Sequence, residues 1–176
     1  HGFIYVNLDG RAKPLAPRLK SLEPLIQNYH MGEMVHQFRE EQTWDTNWKS
    51  LVENFMEGYH LSFTHYETLH DVTPTRLCKK YPGGRGYTGY ESHYPPKWPP
   101  RTPHHPDLTD KEQRYTMMFC VYPSHVVALT PDIVNYMCMR PLGTEEVHAT
   151  WGLATFDPKP KRKTVSDLHG WIADVM

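Results

Sequence analysis

Apolar and polar residues alternate along several stretches of the chain, and this pattern predicts an antiparallel sheet. Four runs rich in β-branched and aromatic residues follow one another closely, at residues 115–121, 126–129, 133–140 and 147–156. The turns between them contain Pro, Gly, Ser, Thr and Asp, and connections this short favour a meander. Alternation earlier in the chain predicts two more strands, at residues 3–8 and 34–43.

Apolar residues at spacings of three and four predict two longer helices, one before the meander and one after it. The first begins at Asn47 or Trp48, where Asp45 or Thr46 can serve as the N-cap. Its apolar stripe comprises Trp48, Leu51, Val52, Phe55, Met56 and Tyr59. The second helix closes the chain, and its apolar face comprises Val165, Leu168, Ile172 and Val175. A short helix is also predicted around residues 19–27, at the end of a proline-rich connector.

Residues 81–110 contain too much proline and glycine to continue a helix or a central strand. A connection of this length is usually functional or disordered. Its aromatic residues favour packing against the domain over disorder, as a lid or a subunit contact, and they are Tyr87, Tyr90, Tyr94 and Trp98.

Composition narrows the classes of protein that remain. The chain has 176 residues, enough for one domain, with 19 basic and 20 acidic side chains and a net charge of -1. Such a balance offers no field that would gather nucleic acid or an anionic membrane. Three cysteines without C-x-x-C spacing predict neither a disulfide framework nor a zinc knuckle. With no long apolar run, a soluble, cytoplasmic protein is expected.

The candidate chemistry lies in residues 47–70. Glu57 and His60 are three residues apart, so on a helix they share a face. His60 and His65 are five apart, which on a regular helix separates them by about 140°. They can bind one ion only if the helix ends or bulges between them, and residues 61–64 are poor in helix formers. Two imidazoles and a carboxylate suit ferrous oxygen chemistry, whereas the spacing alone is equally met by two histidines without a metal.

The flanking residues add a resemblance. The block Asn47-Trp48-Lys49, Glu53-Asn54, Tyr59-His60, His65 and Thr68-Leu69-His70 resembles the ligand-bearing helix of the catalytic α subunits of Rieske non-haem iron oxygenases, which hydroxylate rings or demethylate amines. The resemblance implies an α+β helix-grip fold of the Bet v 1/START type, in which an antiparallel sheet wraps around a long helix. Residues 1–10 then correspond to the end of a Rieske domain or a junction strand, and residues 11–176 to a catalytic domain truncated at its C-terminus.

The same resemblance assigns roles to individual residues. His60 and His65 become ligands of a mononuclear Fe(II), with Asn54 close to the iron. Glu57 occupies the place of an aspartate that links the iron to the cluster of a neighbouring subunit, and this replacement tilts the expected substrate toward a small amine. The third ligand is an aspartate in a Glu-Asp pair, which we expect beyond Met176, because Asp174 does not match that pattern.

The implied partners are a small-molecule substrate, dioxygen, a reductase and the Rieske domain of a neighbouring subunit, in a homotrimer. The chain has no C-x-H or C-x-x-H pair, so the [2Fe-2S] cluster is expected on a domain outside it. Two alternatives stay open at this point. One is a non-catalytic helix-grip module that binds small molecules, and the other is a zinc-dependent hydrolase.

Overall fold

A computed structural model describes residues 1–175 of the chain, which form one seven-stranded sheet and four α-helices. The strands are β1 (Val35–Trp44), β2 (Cys78–Lys80), β3 (Tyr87–His93), β4 (Tyr115–Val121), β5 (His125–Leu129), β6 (Ile133–Pro141) and β7 (Val147–Thr155). The helices are α1 (Ala16–Leu19), α2 (Glu23–Ile26), α3 (Trp48–Phe55) and α4 (Arg162–Val175). None of the described helices is both long and apolar enough to cross a membrane.

All neighbouring strands are antiparallel, in the order β1-β7-β6-β5-β4-β3-β2. Strands β2 to β7 form a meander, and β1 pairs with β7 at the far edge, from Val35 opposite Thr155 to Trp44 opposite Val147. The segment between β1 and β2 therefore leads from one edge of the sheet to the other, and it carries α3 and the candidate histidines.

Each face of the sheet has its own apolar cluster, as strand alternation requires. On the inner face, Met137, Trp151 and Leu153 pack with side chains of α3 and with Ile172 of α4. The outer face is covered by α2 and the segments around it, which pack on Phe119 and Val127. Both faces are thus buried, and the segment between β1 and β2 that carries the candidate histidines lies on the inner face.

The predicted meander is confirmed, and the remaining predictions have mixed outcomes. Strand β1 begins and ends within one residue of its prediction. The predicted strand at residues 3–8 is wrong, because this segment pairs with neither of the edge strands, β1 and β2. Instead Phe3 packs on the outer face, 4.3 Å from the ring of His125, while Ile4 and Leu8 remain exposed. The single helix expected at residues 19–27 is two short ones, α1 and α2.

The predicted loop at residues 81–110 is wrong in part, because β3 lies inside it. The rest packs on the domain as expected: the indole Nε1 of Trp98 donates to the carbonyl of Asp71 at 2.7 Å, and Arg101 forms an ion pair with Asp132. Its role as a lid or a subunit contact stays a prediction.

Candidate metal centre

Helix α3 brings the chain to the site and stops early. Its N-cap is Asn47, rather than the predicted Asp45 or Thr46, and the Asn47 side chain accepts a hydrogen bond from the amide of Lys49 at 2.8 Å. The helix ends at Phe55, with Met56 as its C-cap. Met56 is buried, but Tyr59, the last member of the predicted stripe, is 71% exposed.

Gly58 allows the chain to turn away from α3 against strand β2. A Cβ atom at Gly58 would lie 2.5 Å from the Sγ of Cys78 and 3.4 Å from a ring carbon of Tyr90. Any larger residue would therefore force the turn and the strand apart. The helix was expected to break between His60 and His65, at residues 61–64, whereas it ends before both histidines and is followed by a 3-10 turn at His60–Ser62.

The turn that carries His60 is fixed by side chains on either side. The Thr75 hydroxyl lies within hydrogen-bonding distance of the carbonyls of Gly58 and Tyr59, at 2.8 and 3.1 Å. The Thr75 amide donates to the hydroxyl of Ser62, and the Lys80 ammonium donates to the carbonyl of Met56. These bonds replace the backbone ladder that a helix would have supplied, so His60 is held without regular secondary structure.

Glu57 orients the ring of His60. The Glu57 carboxylate is hydrogen-bonded to His60 Nδ1 and also accepts the backbone amides of Tyr59, at 2.6 Å, and of His60, at 3.2 Å. Both side chains are largely buried. A carboxylate at Nδ1 favours the tautomer with its proton on that nitrogen, which leaves the Nε2 lone pair available to a metal.

His65 follows in an irregular turn, and its ring lies beside that of His60, with centroids 5.2 Å apart. Burial, followed by the charge of the neighbouring His60, lowers the pKa of His65. Both influences favour the neutral imidazole, which is the form that binds a metal ion. The His65 side chain makes no hydrogen bond to any other part of residues 1–175, so its nitrogens are free to bind.

Both rings border an open cavity of about 150 Å³. The cavity lies between α3, the inner face of β3–β6 and α4, and its wall is mainly apolar. Asn54, the residue expected near the iron, borders it together with His60 and His65. The arrangement can hold an ion at two imidazoles beside a space suited to a small organic molecule.

A third ligand is not found at this site among residues 1–175. Asp174 is exposed and does not border the cavity, although its helix neighbours Ile172 and Val175 do. The expected carboxylate beyond Met176 lies outside the described residues, as Met176 itself does. Within residues 1–175 the one set of three closely spaced ligand atoms is elsewhere, at His30, Glu33 and His105.

That surface set is poorly shaped for an ion. The rings of His30 and His105 are stacked, with centroids 3.7 Å apart and planes 16° from parallel. The nitrogen lone pairs of stacked rings run side by side and do not converge. The Glu33 and Asp107 carboxylates beside His30 outweigh its partial desolvation and raise its pKa, which favours a charged imidazolium over a ligand.

The alternation of apolar and polar residues did not identify two residues of the cavity wall. Tyr90 and Asn135, on β3 and β6, border the cavity, and alternation could have placed them only if the inner face of each strand had been known. Tyr59 and Tyr66, which flank the histidines in the sequence, are exposed together with Phe63 and do not border the cavity.

This geometry defines the class of protein: a helix-grip domain that holds two adjacent histidines beside an apolar cavity. The family model of the ring hydroxylating alpha subunit (catalytic domain) matches residues 27–170, and the chain therefore belongs to that family. The resemblance inferred from residues 47–70 is confirmed by this match. No curated protein matches the sequence.

Solved structures share the fold at low sequence identity. The quaternary ammonium Rieske monooxygenase CntA, in complex with an inhibitor, aligns at a TM-score of 0.75 and 17% identity, over 96% of this chain and 44% of CntA. Naphthalene 1,2-dioxygenase from Rhodococcus sp., bound to indole, aligns at 0.70 and 18% identity, over 90% of this chain and 44% of the enzyme. The chain thus spans less than half the length of either protein. The predicted α+β helix-grip fold is confirmed.

Proposed function

We propose that this chain is the catalytic domain of a Rieske-type oxygenase, in which His60 and His65 bind a mononuclear Fe(II) that activates dioxygen for the hydroxylation or demethylation of a small organic substrate. The observation that carries the proposal is the pair of adjacent imidazoles at the edge of an apolar cavity, one of them oriented by Glu57. Membership of the ring-hydroxylating family supports it.

The donor set fits ferrous iron. Two neutral imidazoles leave coordination positions open, and ferrous iron bound there would supply the one-electron chemistry that dioxygen requires. The protein's own part is to bind and orient. Glu57 holds the proton on His60 Nδ1, Asn54 borders the metal side of the cavity, and the apolar wall excludes water from the substrate.

The rest of the proposal extends beyond the described residues. Residues 1–10 would connect to a Rieske domain whose [2Fe-2S] cluster receives electrons from a reductase, and residues 11–176 would form the catalytic domain. A carboxylate beyond Met176 would complete the iron site. We propose a cytoplasmic homotrimer in which the cluster of one subunit serves the iron of the next. The exposed aromatic side chains beside the histidines support such a contact, and they are Tyr59, Phe63 and Tyr66.

Iron content tests this assignment directly. Full-length protein purified under anaerobic conditions is expected to contain a mononuclear iron in addition to the two iron atoms of the [2Fe-2S] cluster. His60→Ala and His65→Ala are each expected to lose most of the mononuclear iron and to keep the cluster, because one imidazole and one outside carboxylate cannot retain the ion. His36→Ala is the matched control, since His36 lies on β1 and contacts the Tyr136 hydroxyl at 3.1 Å, away from the cavity. Full iron content and turnover in His60→Ala would disprove the assignment.

The two alternatives predict different metal contents. A zinc-dependent hydrolase would carry zinc after native purification and would not consume dioxygen. A non-catalytic binding module would carry no stoichiometric metal, and His60→Ala would leave its ligand affinity unchanged. Elemental analysis of the native protein, combined with oxygen uptake in the presence of a reductase, separates all three.

A further inference from the structure

Among residues 1–175, the side chains that border the cavity beside the histidines include no carboxylate, ammonium or guanidinium group. None of the described residues that border it is an aspartate, glutamate, lysine or arginine. Glu57 is close by, but its carboxylate is already occupied by His60 and two backbone amides. Among the described residues of the wall, a cationic ligand would find no acidic side chain and an anionic ligand would find no lysine or arginine. Away from the proposed iron, either ligand would lose its hydration without a charged side chain to replace it, which is costly in an apolar surrounding. The wall therefore favours an uncharged ligand. This differs from the expectation, based on Glu57, that the substrate is a small amine.

Most polar side chains of the wall are already satisfied. The Thr116 hydroxyl is bonded to the Tyr94 hydroxyl at 3.0 Å, and the Thr130 hydroxyl donates to Asp132 at 2.7 Å. Ser92 contacts the thiol of Cys78 at 3.5 Å. These groups stiffen the wall, and their hydrogen-bonding capacity is partly spent within the protein.

Tyr90 is different. It is 3% exposed, yet its hydroxyl has no hydrogen-bond partner within residues 1–175, and its oxygen is not among the buried polar atoms sealed from solvent. Since Tyr90 also borders the cavity, that oxygen faces the cavity space. The residue is buried but its hydroxyl is reachable from the cavity and is not used by any described residue, so it can form a hydrogen bond with a ligand.

Tyr90 packs against the turn that leads to His60 and borders the same cavity as both histidines. Gly58, two residues before His60, leaves room for the Tyr90 ring, because a Cβ at Gly58 would come within 3.4 Å of it. Burial, together with the charges of Cys78 and Glu57, raises the pKa of Tyr90. The phenol therefore stays protonated and acts as a hydrogen-bond donor. On the opposite sheet wall, the Asn135 amide also borders the cavity without a protein partner among the described residues.

We infer that the cavity binds an uncharged substrate with an apolar body and one hydrogen-bond-accepting group, and that the Tyr90 hydroxyl donates to this group. The inference rests on the proposed function, because it treats the ligand of this cavity as the substrate. Tyr90 is then a residue that determines specificity by fixing one end of the substrate beside His60.

Four small probes of similar shape test the inference on iron-loaded, full-length protein without dioxygen. Acetophenone carries a carbonyl acceptor, and α-methylstyrene replaces that oxygen with a methylene group. The other two probes are tert-butylbenzene, which is uncharged, and phenyltrimethylammonium, a cation of the same shape in which a quaternary nitrogen replaces the central carbon of the tert-butyl group. Binding of each probe is measured by ligand-observed NMR titration against wild type, Tyr90→Phe and Tyr87→Phe.

Tyr90→Phe is expected to weaken acetophenone binding about fivefold and to leave α-methylstyrene unchanged, since one neutral hydrogen bond is lost. Because the Tyr90 hydroxyl has no protein partner, the variant should fold normally. Tyr87→Phe is the matched control: Tyr87 is equally buried on β3, but its hydroxyl contacts Ser21 on the outer face. We expect it to change neither affinity. In wild type, tert-butylbenzene should bind at least about tenfold more tightly than phenyltrimethylammonium.

The inference is overturned if Tyr90→Phe leaves the ratio of acetophenone to α-methylstyrene affinity unchanged, if the cation binds as tightly as tert-butylbenzene, or if none of the four probes binds. Iron content is measured on the same samples and on His60→Ala. Retained iron at His60 and His65 with failed probe results rejects the substrate class alone. Mononuclear iron, counted beyond the two atoms of the [2Fe-2S] cluster, that does not depend on His60 rejects the proposed function.

Discussion

At the scale of single residues, the hydrogen bonds of the Glu57 side chain define its role in the metal site. Its carboxylate accepts three hydrogen bonds, one from the His60 ring and two from backbone amides. An acceptor-only group is required there, because all three neighbours are donors when His60 binds a metal through Nε2. Glu57 is thus a positioning residue for His60.

Glu57→Gln is expected to lower iron affinity by about tenfold to a hundredfold, because the amide NH₂ would face a donor and the ring of His60 would lose its fixed tautomer. Glu53→Gln is the control: Glu53 is exposed one turn earlier on α3 and makes no side-chain hydrogen bond within residues 1–175. Iron titration with a competing chelator measures both. Equal affinities for the two variants would show that Glu57 does not orient the ligand.

The residues of the metal site and of the cavity wall differ in how far the sequence predicts them. His60, His65, Glu57 and Asn54 lie in one continuous block, so their spacing and neighbours carry enough information to select them. Tyr90 lies thirty residues after His60, in a segment whose prolines and glycines hid a strand. The match between its hydroxyl and the cavity depends on strand register and on Gly58, and neither is visible in the local pattern.

At the scale of elements, the turn after α3 depends on close contact with β2. Gly58→Ala is expected to destabilise the protein by about 1–3 kcal/mol, because the added methyl would overlap the Cys78 thiol. The same variant should lower iron content, since His60 is two residues away. Gly143→Ala is the control, because a Cβ there meets nothing within 4 Å. Urea unfolding of both variants measures the difference.

If Gly58→Ala and Gly143→Ala unfold at the same urea concentration, this account of the turn is contradicted. In that case the chain around His60 would have to be adaptable, and its geometry could not be attributed to the contact with Cys78.

The alternation of apolar and polar residues predicts a strand well when that strand pairs with one adjacent to it in the sequence. Strands β4 to β7 each pair with a strand that is adjacent in the sequence, so alternation and short turns are sufficient to predict them. Residues 3–8 show the same alternation, but a strand also requires a neighbouring strand to pair with, and the local pattern does not show that the segment lies on the outer face of the sheet and not at its edge. Strand β3 was missed for the opposite reason, since proline-rich flanks at residues 82 and 95–96 surround a regular strand.

At the scale of the whole molecule, the sheet is covered on two faces, and the cover of the outer face includes the N-terminal segment. Tyr5 reaches over the sheet, and its hydroxyl contacts Nδ1 of His125 on β5 at 2.5 Å. His125 is 7% exposed, and its Nε2 is buried without a partner. Burial lowers the pKa of His125 from 6.5 to about 4, so this histidine stays neutral in the folded protein at pH values where the unfolded chain is charged.

The stability contributed by this neutral histidine should depend on pH in one direction. Above about pH 6.5 both states are neutral and the contribution is complete, whereas between pH 6.5 and 4 the unfolded chain alone takes up the proton, so stability falls. From pH 7 to pH 5, His125 alone should lower the free energy of unfolding by about 2 kcal/mol. Urea unfolding at both pH values measures this in wild type and in His125→Gln, where the decrease should be smaller by that amount. His36→Gln, at an exposed position on β1, should behave as wild type. The same decrease in His125→Gln as in wild type would mean that the outer-face packing opens to solvent around this ring.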